Sequence, residues 1–346
     1  MSTAMPLENW VRRDERALKA LLLVTKAWSW IFLIAILVFF EIWARSATGS
    51  TFLFRVYNLQ SISVAAVQTL LLALGLTFVI IASHIDLSIG FITGFASVIC
   101  ALVINALDPV LSPWASLAVG FVVGLAAALI PGVVNGWLVA KLHVPSFIGT
   151  LGMYGIARGA ALLMAGGAVV SINNPASRIL GNRDVLGVPY VVLMGVVMVI
   201  VFHYLLRHTR FGIYTYAMGG SEQAAVRAGV KVDRHLIALF LLSALSSGLG
   251  GVVYTLRFSA GAAQAGEPIL LYAVAAVFIG GASLTGGKGT IIGTVIGAMI
   301  IAVIQFGLVF INVAPYWQFV SVGGVIIIAV LIDQSRDRFD RLRGGR

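Results

Sequence analysis

Three ionisable side chains stand in apolar surroundings: Glu41, Asp86 and Arg158. A charge inside hydrocarbon is costly, so such residues pair with one another or line water. The chemistry they point to is holding a polar solute or coupling to an ion. Asp86 lies in ASHIDLSIGF, Ala82 to Phe91, a polar interruption between two apolar runs. Two readings stand for it. One is a tight cytoplasmic turn in which Asp86 caps the next helix. The other is a break between half-helices that lines a solute path. Arg158, in TLGMYGIARGAALL, is placed to pair with a carboxylate or to line an aqueous cavity. Glu41 is near the outer end of its run and is expected to reach the membrane interface.

Other chemistries are poorly served. AVFIGGASLTGGKGTIIGT, Ala276 to Thr294, holds Gly, Lys and Thr as a P-loop does. A P-loop requires G-x-x-x-x-G-K-[ST]. With Gly287-Lys288 as the Gly-Lys pair, the first glycine would fall on Ala282, and Lys288 is followed by Gly289. Nucleotide binding by this stretch is rejected. Its pairs Gly280-Gly281 and Gly286-Gly287 break helix instead. No Ser-His-Asp or paired-carboxylate arrangement is visible, and the five histidines are scattered. The single cysteine, Cys100, allows neither an internal disulfide nor a cysteine metal site. Neither a metal nor a cofactor is expected on this chain, and it is not expected to be an enzyme.

The elements that carry these residues are long and apolar. Of 346 residues, 60% are hydrophobic and 10% charged, with a mean hydropathy of +1.02. A soluble domain carries about 25% charged residues. The composition implies an all-α, polytopic integral membrane bundle of about ten transmembrane helices. The runs are Trp28–Ala44, Ser61–Ser83, Leu87–Ala106, Trp114–Ala140, Ser146–Gly166, Gly187–Leu206, His235–Leu256, Ile269–Gly281, Thr290–Ile311 and Trp317–Ile332. The eighth is short and reads as a half-span. With the N-terminus inside, only Arg45, Arg55, Arg178, Arg183 and Arg257 of the 23 Lys and Arg fall outside, and Arg158 falls within a span. The bias places both termini in the cytoplasm. It also accounts for the net charge of +10 without nucleic acid. Residues 1–26 read as a basic, amphipathic leader rather than a signal peptide, 27–333 as the membrane domain and 334–346 as a basic tail. Small residues four apart, as at Gly289, Gly293 and Gly297, suit close helix packing.

One polar segment interrupts this pattern on the cytoplasmic side, within the loop 207–234. In YAMGGSEQAAVRAGVKVDRH, Ser221 is a suitable N-cap and Glu222 sits in the first helical turn. EQAAVRA favours helix, and Gly229 is a stop. A two-turn helix is marginal alone in water. It therefore needs a surface: the protein's own membrane face or a groove on a cytoplasmic partner. There is also an internal echo. ASHIDLSIGFITG and GASLTGGKGTIIG each place a polar break before a small-residue span, and NGWLVAKLHVPSF resembles QFGLVFINVAPYW. Span duplication is common in transporters.

The loop resembles that of sugar-type ABC importer permeases, the ribose and xylose class. Gly219, Gly220, Ala224, Ala225, Gly229 and Val232 match that family's pattern, with Ser221 in place of Asn and Val230 in place of Ile. HIDLSIG is similar to the family's Gly-Ile-Asp-Leu-Ser-Val-Gly. PGVVNGWLVAKLHVPSFIGTLGMYGIARGAALLMAGG carries its Asn-Gly, Val-Pro-x-Phe, Thr-Leu-Gly and Arg-Gly landmarks, and AAVFIGGASLTGGKGTIIGTVIGAMI its Gly-Gly-x-Ser-Leu landmark. The likeness runs from Ser61 to Asp333. It departs at Leu270 and Tyr272, where relatives carry acids; Glu267 lies slightly upstream.

The resemblance implies an inner-membrane permease subunit that translocates a monosaccharide or polyol delivered by a periplasmic binding protein. An ATP-binding cassette subunit would drive it and bind the ATP and magnesium. A second permease copy would complete the pathway. Gly219, Gly220, Ser221, Glu222, Ala224, Ala225, Arg227 and Gly229 would form the coupling loop, with Glu222, Arg227 and Lys231 as polar contacts. Asp86, Ser88, Asn135, Thr150, Arg158, Gly280, Gly281 and Ser283 would line the pathway. The rivals are an ion-coupled secondary transporter, for which Asp86 is the clear candidate, and related permeases for branched-chain amino acids or nucleosides.

Overall fold

The computed structural model describes residues 28–47, 49–314, 316–328 and 331. The expected leader, 1–26, and tail, 334–346, lie outside the described residues. Helices dominate. In chain order they are α1 (Trp28–Ala47), α2 (Val56–Ile81), α3 (Ile89–Leu107), α4 (Pro113–Leu142), α5 (Ser146–Met164), α6 (Pro175–Asn182) and α7 (Tyr190–His208). They continue with α8 (Arg210–Gly220), α9 (Glu222–Arg227), α10 (Val232–Phe258), α11 (Glu267–Ile279), α12 (Ile291–Phe310) and α13 (Tyr316–Ile328). Among the described residues, eight helices are long and apolar enough to cross a membrane, and α11 and α13 are shorter apolar helices. The expected runs match these helices with shifted ends.

Local signals set the ends. Ser112 accepts from the Ala115 amide at 3.3 Å, with Pro113 at the first position, and so opens α4. Thr290 accepts from Gly293 N–H at 3.0 Å and opens α12. α2 and α10 are the longest buried helices, about 40 Å each at 1.5 Å per residue. They cross antiparallel: Gly75 of α2 lies against Ser243 and Ser246, and Leu72 lies against Gly250. α3, α4 and α12 pack around them. The largest core cluster spans Leu70–Ala82, α10 and the facing sides of α11 and α12. α11 covers about 20 Å, too little for a bilayer core of about 30 Å. It is the expected half-span.

Several pieces carry no strong local pattern and were not expected. The segment between α5 and α7 holds α6, which is capped by Asn174 accepting from Ser177 N–H at 3.0 Å. It also holds the two-residue strands β1 (Val170–Ser171), β2 (Asp184–Val185) and β3 (Val188–Pro189). β1 pairs antiparallel with β4 (Ala260–Gly261), and β2 with β3. Glu41 accepts the amides of Phe52 and Leu53 at 2.8 Å each and the Arg45 Nε at 2.6 Å. It ties the α1–α2 turn together.

Candidate functional site: the docked short helix and the polar break

α9 is built as its sequence dictates. Ser221 Oγ accepts from Ala224 N–H at 3.2 Å. Gly229, at φ +83°, closes the helix. Its amide donates to Val226 O at 2.9 Å, and the Val230 amide donates to Ala225 O at 3.0 Å. Ala225 is 2% exposed and belongs to the main core, whereas Val226 is 55% exposed. Ser221, Glu222, Gln223, Ala224, Arg227 and Gly229 are exposed as well. The surface that a two-turn helix requires is therefore the bundle itself, reached through Ala225. The opposite face lies open, with a shallow hollow at Ser221, Glu222, Gln223, Val226 and Arg227.

α8, unforeseen in the sequence, leads into α9 and is held by a knot of backbone. Gly219 sits so close to the end of α2 that a Cβ would lie 1.7 Å from Ile81 O and 2.5 Å from Gly287 N. The Gly287 amide donates to Ile81 O at 2.8 Å. Ser83 Oγ donates to Thr285 O at 2.9 Å, and Tyr216 OH to Gly289 O at 2.7 Å. Burial raises the Tyr216 phenol above its ordinary value, which keeps it a donor. Gly280, Gly281 and Ser283, expected among the pathway residues, precede this glycine loop. Gly280 follows α11, and the Ser283 amide bonds Lys288 O at 3.1 Å. Gly280 lies against Gly293 and Thr294 at the start of α12, and it is the loop after Ser283, at Thr285, Gly286 and Gly287, that reaches α8 and the end of α2.

Asp86, Ser88, Asn135 and Thr150 do come together. After α2 the chain turns at Ser83, φ +64°, and runs extended back into the bundle. Ile85 N–H donates to Ser146 Oγ at 3.1 Å, and Leu87 N–H to Thr150 Oγ1 at 3.0 Å, which strap the segment to α5. Asp86 is fully buried. Its Oδ1 accepts from Ser88 N–H at 3.0 Å and Ser88 Oγ at 2.5 Å, and its Oδ2 from Ser243 Oγ at 2.8 Å. Asn135 Nδ2 donates to Ser88 Oγ at 2.9 Å, while Asn135 Oδ1 is buried without a partner. Ser243 lies about 16 Å along α10 from its start, so the cluster is deep. The cap reading of Asp86 is corrected: its carboxylate holds Ser88, and no side chain caps α3. The segment is an irregular break inside the bundle, with Asp86 and Ser88 buried in protein as such breaks require. Ser243 and Ser146 were missed, because hydroxyls on long apolar runs read as packing. Ser243→Ala strips one donor from a buried carboxylate, and the expected loss of stability is about 1–3 kcal/mol. The thermal unfolding midpoint in detergent, against wild type, reads it.

Arg158 stands apart from this cluster. Its Nη2 lies 3.7 Å from Glu267 Oε2, and its guanidinium is 5.5 Å from the centre of the Phe91 ring. Glu267 opens α11 just after Gly266, whose Cβ would lie 2.1 Å from Gly90 O. Leu270 packs on Gly90, and buried Tyr272 stacks with Phe319 at 6.4 Å. Among the described residues no cluster of three His, Cys, Asp or Glu could hold a metal ion.

Residues 58–331 match the family described as the branched-chain amino acid transport system permease component. The ribose import permease protein RbsC of Escherichia coli K12 is 36% identical over 323 residues, covering 90% of this chain and 96% of that protein. RbsC of Bacillus subtilis is 37% identical over 269 residues, 77% of this chain and 81% of its own. The L-arabinose ABC transporter permease protein AraH of Azospirillum brasilense is 33% identical over 279 residues, 81% and 80%. No solved structure matches the chain. With the docked helix, the buried break and a match over most of its length, the chain belongs to this ABC importer permease family, alongside the permeases for ribose and arabinose.

Proposed function

We propose that the chain is the membrane subunit of an ATP-driven importer for a monosaccharide or polyol in a bacterial inner membrane. The observation that carries this reading is α9. It is seated on the bundle by Ala225 and presents Val226, Glu222 and Arg227 outward on the side where Lys and Arg concentrate. A separate ATP-binding subunit takes that open face and carries the ATP and magnesium. A periplasmic binding protein delivers the sugar, and a second permease copy completes the pathway. The names of the relatives support sugar over branched-chain amino acids or nucleosides.

The test compares wild type with Val226→Glu, which changes the open face and leaves the buried one alone. Wild type is expected to co-purify with an ATP-binding subunit and to import at least one of D-ribose, D-xylose, L-arabinose and D-allose. Val226→Glu should keep its unfolding midpoint and lose about tenfold or more of the co-purified subunit, as for a charge placed in an interface core. If Val226→Glu imports normally and a proton ionophore abolishes uptake, ion coupling replaces this reading.

A further inference from the structure

Arg158 and Glu267 pose a physical problem that the coupling machinery does not use. Arg158 lies about 18 Å along α5 from Ser146, and Glu267 about 18 Å along α11 from Ile279. Both starting points belong to the α9 end of the bundle. Ser146 holds Ile85, just past the turn at Ser83, and Ile279 O accepts Ser29 Oγ at 2.8 Å at the start of α1. With a hydrocarbon core of about 30 Å, both charges stand near mid-membrane.

Neither is packed away: their side chains are 42% and 46% exposed. Charges in a membrane avoid lipid and face a bundle interior or a water-filled cavity. The flank of α5 beside Arg158 is unobstructed, since a Cβ at Gly155, three residues before it, or at Gly159, the next residue, would meet nothing within 4 Å. At 3.7 Å the charges attract without a tight hydrogen bond, so both keep donors or acceptors for water or a hydroxyl beside them. Phe91, fully buried, supports the guanidinium from behind and contacts Tyr154 at 3.9 Å between ring centres.

We propose that Arg158 and Glu267 line the water-filled solute passage at mid-membrane and present their guanidinium and carboxylate to the hydroxyls of a passing sugar. This deepens the transport reading and rests on it. Guanidinium and carboxylate together supply donors and acceptors, the complement a polyhydroxylated solute needs when it leaves bulk water.

The first arm of the test needs neither sugar nor ATPase. Cysteine is introduced as Gly155→Cys or Gly159→Cys, in a chain whose own Cys100 is buried. Membranes opened to both sides are treated with a charged, membrane-impermeant methanethiosulfonate. Leu186→Cys in a fully exposed turn is the water control, and Ile200→Cys on α7, 62% exposed, the lipid control. Only a thiolate reacts, so the passage cysteines should label within about tenfold of the water control and about a hundredfold faster than the lipid control. Labelling as slow as Ile200→Cys overturns the inference. In the second arm, Arg158→Leu and Glu267→Leu should each reduce uptake of whichever of the four sugars wild type imports about tenfold at an unchanged membrane level. If the pair merely packed, leucine would be neutral or stabilising, and uptake within about twofold of wild type would overturn the inference. The two readings fail separately. A wild type that imports none of the sugars but labels at Gly155→Cys removes the importer reading and the sugar contact that rests on it, and leaves the water-filled passage. Sustained import with unlabelled cysteines removes this one alone.

Discussion

Gly219→Ala is expected to cost at least about 3 kcal/mol and to leave little monodisperse protein in detergent, while Gly220→Ala, one residue on, is expected to do nothing. The difference is geometric. The new methyl at Gly219 meets Ile81 O and Gly287 N, both backbone, and nothing there can rotate away. Relief requires parting the Gly287–Ile81 hydrogen bond and moving either the end of α2 or the glycine loop. At Gly220 a Cβ meets nothing within 4 Å. Size-exclusion profiles and unfolding midpoints of the two variants decide the matter. Equal behaviour would mean that the three segments are less tightly knotted than their distances indicate.

The second large effect is at Ala225. Ala225→Glu places a carboxylate in the apolar seat of α9, a penalty of about 3–5 kcal/mol for an unpaired buried charge. A two-turn helix has little stability of its own, so α9 is expected to leave its seat before the bundle unfolds. Limited trypsin digestion at Arg227 and Lys231 reads this directly. Cleavage should accelerate about tenfold or more in Ala225→Glu and stay at the wild-type rate in Val226→Glu, a contrast that follows from the lost docking energy. Equal cleavage of the two variants would show that Ala225 does not anchor the helix. Loss of ATPase in Ala225→Glu alone would therefore not identify the docking face; Val226→Glu does that.

The sequence made some of this plain and hid the rest for physical reasons. Spans declare themselves through hydropathy, because a bilayer demands a minimum apolar length. α9 declares itself through Ser221 and Gly229, because caps are local chemistry. Asp86 stood out as a lone acid, but its route back into the bundle depends on Ser146, Thr150 and Ser243, which are distant in the chain and common in type. The packing of Gly280 on Gly293 and of Gly219 on Ile81 and Gly287 was likewise invisible, since backbone-to-backbone contact leaves no side-chain pattern. α8 had one local signal, Thr209, whose Oγ1 accepts from Gly212 N–H at 3.4 Å. The partnership of Arg158 with Glu267 needed the fold, because nothing in either local stretch names the other.

The close approach of Gly90 and Gly266 reaches further than packing. Each would drive a Cβ into the carbonyl of the other. The same interval along the chain separates Ser83 from Ser259, and both are left-handed residues just past α2 and α10, the antiparallel pair. After each serine an irregular segment leads to a helix start beside one of the two glycines: α3 begins at Ile89, just before Gly90, and α11 at Glu267, just after Gly266. His143 and Asn312, also left-handed, end α4 and α12 in the two echoing sequences. Equal intervals placed on antiparallel helices are the arrangement expected of an inverted repeat. In an inverted repeat the two faces of the bilayer are served by equivalent parts. Exchanging the conformations of the halves turns one opening into the other at nearly equal energy. Near-degeneracy of that kind lets a modest bias, supplied from either face, decide which side is open.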